Sequence, residues 1–410
     1  MKKLISILLV AVMLCSFAAC SAGDDEFKVG FIFLHDENST YDKNFIDAAK
    51  AACDALGVKY EMKVNIDENA ECKEAALDLV DMGCDIVFAD SFGHESYMIE
   101  AAKECPDVEF CHATGTLAHT EDLPNYHNAF ASIYEGRYLA GIAAGMKLNE
   151  MIANGTEVKG VKVTADNAKI GYVGAFTYAE VISGYTSFFL GARSVCPTVT
   201  MEVQFTGSWY EEGLEKEAAQ KLINNGCNLI SQHADSMGAP TACEAAGVPN
   251  VSYNGSTVAA CPNTFIVSSR IDWTPYFKYI IDCVQNDKEI VDDWCGDIEA
   301  GSVVLTAVND KAAAAGTQAA IDAARQKLVA GTLHVFDTSK FTVSGNALNA
   351  NIKVDADGHV TSYKADVDTD AAYTGDTEVV KDGYFHESEY RSAPYFDLRI
   401  DGISLLNEKF

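Results

Sequence analysis

The sequence predicts an α/β protein made of two doubly wound, Rossmann-like lobes. Three observations carry this. The stretch "GCDIVFADS" from Gly83 returns as "GCNLISQHADS" from Gly226, each an apolar run reading as a buried strand and ending on Ala-Asp-Ser. Strand-like and helix-like periods alternate around both copies, which implies parallel sheets covered by helices on both faces. The chain has 410 residues, 48% hydrophobic and 22% charged, enough for two cores.

Taken in order, the first copy opens with the strand "KVGFIFLHD" from Lys28 and the helical pattern "NFIDAAKAACDALGV". It continues through the strand "KYEMKVNI", the helix "ECKEAALDLVDM", "GCDIVFADS", the helix "SYMIEAAKECP" and the strand "VEFCHATG". The second copy runs from "KIGYVGAF" at Lys169 through "VISGYTSFFLGARSVCP", "VTMEVQFTGSW" and "GLEKEAAQKLINN" to "GCNLISQHADS", "APTACEAAGV" and "NVSYNGS". We expect lobe one to comprise 28–130 with 265–298, lobe two 131–264 with 299–345, and residues 346–410 to form an acidic extension packed on lobe two. The helix "PYFKYIIDCVQ" is expected to return to lobe one across a three-crossover hinge.

The first twenty residues, "MKKLISILLVAVMLCSFAAC", join two lysines to a short apolar run and small residues, the pattern of a secretion signal. The run is short for a bilayer span. Its end, "FAAC", resembles the lipobox of bacterial lipoproteins, with Cys20 as the acylated residue and Phe17 departing from the usual aliphatic one; lipidation there would hold the protein on the outer face of the cell membrane. The net charge of −30 argues against nucleic-acid binding. Of thirteen cysteines, eleven remain beyond Cys15 and Cys20, many inside apolar runs, and most read as reduced core residues.

In open α/β sheets a ligand lies beyond the carboxyl ends of the strands, where Asp90 and Asp235 stand. Each is also compatible with capping the next helix, though His233 beside Asp235 adds a second polar group there. No catalytic motif of the GxSxG, HExxH, P-loop or GxGxxG type occurs, so no enzyme and no cofactor is expected. "DVDTDAAYTGD" from Asp366 has three alternating acids, but Ala371 replaces the turn glycine of a calcium loop and Thr377 takes the bidentate position, so no metal is expected.

The chain resembles the basic membrane protein family, lipoprotein substrate-binding components of ABC transporters whose best understood members bind purine nucleosides. The resemblance spans about residues 28–335 and rests on "YDKNF", "FCHATG", "YLAGIAAG", "FFLGAR", "GSW", "QHADS" and "VSSRIDW" in that order. It implies the type I periplasmic-binding-protein clam, a small-molecule ligand and a permease partner. By the same resemblance Phe45 and Trp209 would sandwich a purine, with Tyr41 as a further wall. Phe45 is also compatible with the core, and Trp209 with packing. Asp36 and Asp42 match acidic positions, and Arg270 falls where the family places a lysine. Asn254 and Thr114 stand where nucleoside binders keep aspartates for ribose, which opens the ligand to a free base or another planar solute. His112 is a candidate hydrogen-bonding group or a buried structural histidine. A ligand sensor with the same clam but no transport role is the alternative function.

Overall fold

The computed structural model describes residues 26–367 and 375–408. Cys20 and residues 368–374 of the acid-rich loop lie outside the described residues. Two sheets organise the chain. The first holds six parallel strands in the spatial order Lys59–Lys63, Lys28–Ile32, Ile86–Ala89, Glu109–Ala113, Tyr126–Ala131, Asp293–Gly296. The second repeats that winding with Thr200–Phe205, Lys169–Gly174, Leu229–Gln232, Asn250–Tyr253 and Phe265–Ile271, flanked by Val303–Leu305 and Ile403–Leu405. In both lobes the strand order reverses between the first strand and the third, which opens a crevice at their carboxyl ends. The duplicated Ala-Asp-Ser segments lie at those ends.

The strands read as near-continuous apolar runs because helices cover both faces. Ile86–Ala89 and Tyr126–Ala131 are buried throughout. Helix Thr40–Leu56 starts where the Ser39 side chain accepts the Asp42 N–H, and stops at Gly57, whose φ of 67° suits a left-handed cap. Helices Ile133–Asn154 and Ala179–Val195 pack so closely that a Cβ at Gly141 or Gly191 would come within 2.0 Å of the partner backbone. The "YLAGIAAG" and "FFLGAR" segments are therefore a helix–helix contact, not a ligand site.

One expected boundary is corrected. Phe265–Ile271 pairs with Asn250–Tyr253 and Val303–Leu305, so it belongs to lobe two's sheet and not to lobe one. The chain crosses only after Ile271, and helix Thr274–Gln285 then packs against helix Thr40–Leu56 in lobe one. An apolar strand is legible locally, but the neighbour it pairs with is not. The C-terminal segment sits on lobe two, where Ile403–Leu405 adds a parallel edge beside Met201–Val203. It also reaches lobe one, since the Ser392 N–H donates to Asp293 Oδ2 at 2.8 Å.

The eleven described cysteines are all unpaired, and nine are buried. Burial pushes the Cys84 and Cys261 thiols up to about 11, which keeps them protonated and unreactive.

Buried carboxyls set a pH dependence. Burial pushes Glu387 up to about 8, and Glu135 and Glu215 up to about 7, against an ordinary value of 4.5. Between these limits the folded state keeps protons that the unfolded chain releases. Their stabilisation is complete below pH 4.5 and lost as pH rises through 7 to 8. His94 and His112, pushed down to about 4 by burial, act in the opposite sense but only below their ordinary 6.5. The melting temperature is therefore expected to fall between pH 6.5 and 8.5, and Glu387→Gln to flatten that fall. An unchanged slope in differential scanning calorimetry of the variant would reject the assignment to Glu387.

Candidate functional site

The crevice between the lobes holds about 370 Å³ of space not filled by protein atoms, part of it open to solvent. Lobe one builds its floor from the turn after its first strand. The ionised form of Asp42 accepts from the His35 N–H at 2.7 Å and the Ser39 hydroxyl at 2.6 Å, with His35 Nδ1 at 3.2 Å. Burial alone would raise this carboxyl, but the hydrogen bonds from His35 and Ser39 outweigh it and hold it below the usual range. Its neighbour Asp90 is driven the other way by burial and by the charge of Asp42. The Tyr41 hydroxyl donates to the Asp90 carbonyl at 2.7 Å, which fixes the ring as a wall of the cavity.

Lobe two answers with Trp209, His233, Asp235 and Tyr253. Trp209 meets Phe176 edge-on at 4.9 Å and leans on Tyr178 at 6.0 Å. Asp235 is buried, its carboxyl raised well above the usual range by desolvation and then by Glu215, and its Oδ1 accepts from Asn254 Nδ2 at 2.9 Å. His233 lies 3.3 Å from Glu180 through Nε2, and burial lowers its pKa. Behind it the buried Arg137 stands over the Tyr253 ring at 4.4 Å and donates to Tyr172 and, at 3.0 Å, to the Gln232 carbonyl. This guanidinium holds the Tyr253 ring at the back of the crevice.

The lobes are closed on one another. Thr40 donates to the Asp235 carbonyl through its N–H at 3.2 Å and its hydroxyl at 3.0 Å, and Phe92 of lobe one stacks on Tyr178 of lobe two at 5.0 Å.

Of the ten candidate residues, the crevice brings together Tyr41, Asp42, Trp209 and Asp235. Asn254 lies just behind, fastened to Asp235 and 3.4 Å from Asn44 of lobe one. The other five stand elsewhere. Phe45 is wholly buried in lobe one, stacked on Trp273 at 4.4 Å and 22°, because the helix turns that side toward the sheet. Asp36 caps the next turn, accepting from the Asn38 N–H and side chain at 2.9 and 2.8 Å. Asp90 sits under the floor, with Oδ1 taken by the Leu34 N–H at 3.1 Å. His112 is buried against the Ser91 carbonyl at 2.6 Å. Arg270 faces a side groove next to Asp272, 3.5 Å away, because its strand carries it past the crevice.

Sequence reading missed His35, Phe92, Glu180 and Tyr253, although each follows or ends a core strand or opens a helix. Backbone strain marks two positions already named from the sequence. Thr114 and Asn254, each just past its lobe's fourth strand, have φ of 67° and 63°. A β-branched residue in that region is a genuine outlier, and such strain gathers at binding sites. Thr114 lines the crevice.

No group of metal-ligating side chains occurs among the described residues, and no described helix is long and apolar enough to cross a membrane. A family model for the PnrA-like ABC transporter substrate-binding proteins matches residues 31–338. The chain is 32% identical over 259 residues to a purine-binding protein of Brucella abortus, an alignment covering 62% of this chain and 67% of that one. It is 33% identical over 221 residues to a putative ABC transporter glucose-binding protein of Haloferax volcanii, covering 54% and 51%. A solute-binding protein of an ABC transporter system from Conexibacter woesei superposes with a TM-score of 0.60 at 21% identity, over 75% of this chain and 98% of that one, a likeness of fold. A two-lobed clam closed over an aromatic crevice, matched across most of its length by one family, places this chain among the PnrA-like ABC transporter substrate-binding proteins, which bind solutes and are not enzymes.

Proposed function

We propose that this protein is the extracytoplasmic receptor of an ABC transporter, that it closes on a purine base or purine nucleoside, and that it passes this ligand to a permease. The observation that carries the reading is the pair of aromatic walls: Tyr41 and Phe92 come from one lobe, Trp209 and Tyr253 from the other. A heterocyclic base offers two π-faces to such walls, and stacking contributes ~1–3 kcal/mol per base. Buried polar groups lining the crevice suit a base edge. Asp42 accepts N–H donors, while Asp235, raised by burial, can offer a proton. The purine-binding relative supports the same ligand class.

Lipid on Cys20 would keep the receptor beside its permease. The Cys20→Ser variant is expected to leave the membrane fraction, and unchanged retention would reject acylation at that residue.

A hexose is the second reading, favoured by the glucose-binding relative and by the carboxylates beside the rings. Isothermal calorimetry against adenine, guanine, hypoxanthine, their nucleosides and glucose separates the two. Heat with purines only is expected. Binding of glucose with silence across the purines would replace the purine reading.

A further inference from the structure

The cation behind the crevice has no counter-ion. Arg137, near the start of helix Ile133–Asn154, has no exposed surface. Its Nη2 donates to the Tyr172 hydroxyl and, at 3.0 Å, to the Gln232 carbonyl, while Nε and Nη1 meet no hydrogen-bond partner among the described residues. In place of a carboxylate it faces the rings of Tyr253, Tyr172 and Phe188, at 4.4, 5.3 and 5.6 Å. A buried charge held in this way is weak evidence for stability, so its role is to be sought in what it touches.

The hydrogens around Tyr172 give that role. A guanidinium only donates, so at this contact the Tyr172 oxygen accepts, and the hydroxyl hydrogen turns to its other neighbour, His233 Nδ1, 3.4 Å away. The opposite ring nitrogen, Nε2, lies 3.3 Å from Glu180 Oε1, and an ionised carboxylate only accepts. Both contacts are satisfied when the ring is neutral and carries its one hydrogen on Nε2. A second proton, on Nδ1, would deprive the Tyr172 hydroxyl of its acceptor and set two cations around one oxygen. Burial opposes that proton most, the pull of Glu180 favours it, and the Arg137 charge adds to burial; the balance keeps the ring below its ordinary range. The helix is shaped to this contact, since a Cβ at Gly184 would lie 2.8 Å from His233 Nδ1.

The titratable and charged groups around the ring come from every element packed on it. They are Arg137 and Glu180 from the two helices, Tyr172 and Tyr253 from strands Lys169–Gly174 and Asn250–Tyr253, and Asp235 from the ring's own turn. We infer that Arg137 is a positioning residue of the solute site: through the Tyr172 hydroxyl it holds His233 as a neutral Nε2–H imidazole, so that Glu180 meets the ligand as an acceptor rather than as half of a His–Glu ion pair. Glu180 and His233 both line the crevice. The inference rests on the crevice being the solute site, and not on the choice between purine and hexose.

The test follows the nine histidines of the ligand-free full chain by nitrogen NMR after selective labelling, with His233 identified by the signal lost in His233→Gln. Wild-type His233 is expected at neutral pH as one neutral form with its hydrogen on Nε2. Tyr172→Phe removes the relaying hydroxyl and Arg137→Met removes the charge; melting curves verify folding, and Tyr172→Phe decides alone if Arg137→Met does not fold. In each folded variant the titration midpoint of His233 is expected to rise by about one pH unit, about a tenfold gain in proton affinity, the scale of one lost hydrogen bond. As pH falls from about 7.5 to about 5.5, Tyr172→Phe is expected to lose about tenfold more adenosine affinity than the wild type, because a charged His233 then occupies Glu180. A wild-type ring that is doubly protonated or carries its hydrogen on Nδ1 at neutral pH, or a midpoint unmoved in a folded variant, would overturn the relay. Adenosine binding with the same pH profile in both proteins would overturn its effect on the ligand. Silence of the wild type toward adenosine would instead remove the purine reading, and the NMR titration would still decide the role of Arg137.

Discussion

Phe45→Ala is expected to destabilise the fold by about 3–5 kcal/mol, the ordinary loss on emptying a buried phenylalanine site, while leaving ligand affinity nearly intact. The ring is wholly buried and touches Trp273 at 4.4 Å, Tyr41 at 4.9 Å and Phe88 at 5.6 Å, so its removal opens a void inside an aromatic cluster. That cluster joins helix Thr40–Leu56 to the segment that returns from lobe two at Trp273. Tyr41 remains held through its hydroxyl on the Asp90 carbonyl, which is why the crevice should survive. Urea unfolding paired with calorimetry reads both quantities. A variant of wild-type stability with strongly reduced affinity would return Phe45 to the ligand.

Trp209→Ala is expected to show the reverse pattern, with affinity falling by roughly 5- to 150-fold, the equivalent of ~1–3 kcal/mol of lost stacking. Trp209 is only half-buried, and its ring contacts are Phe176 and Tyr178 at the crevice rim, so the core loses little. Closure should weaken too, since contacts that both lobes make with a ligand add to the direct contacts between the lobes in favouring the closed clam. Small-angle scattering with and without ligand reports that change. Equal binding by the variant would show that Trp209 packs against lobe two alone, and Tyr41 would become the next ring to remove.

These two aromatics mark the border between what could be read and what could not. The duplicated "GCDIVFADS" and "GCNLISQHADS", with their alternating periods, determined two parallel α/β lobes, because strand and helix periodicity are local and a buried parallel strand must be apolar on both faces. The position of the Ala-Asp-Ser ends at the switch point followed from the same winding. Sequence alone could also place Tyr41, Asp42, Trp209 and Asp235 at strand ends or helix starts. It could not say which way Phe45 points. That depends on the rotation of helix Thr40–Leu56 against Trp273, a residue that reaches lobe one only after the chain has built lobe two and crossed back. The same reason moved Phe265–Ile271 to the second sheet, since an apolar run does not name its neighbour. Long-range docking likewise decided the C-terminal segment: composition reads as an acidic extension on lobe two, but only the pairing of Ile403–Leu405 with Met201–Val203 and the burial of Phe396 carry Arg391 to the mouth of the crevice. Local chemistry determined the lobes, and tertiary packing decided which side chains line the crevice.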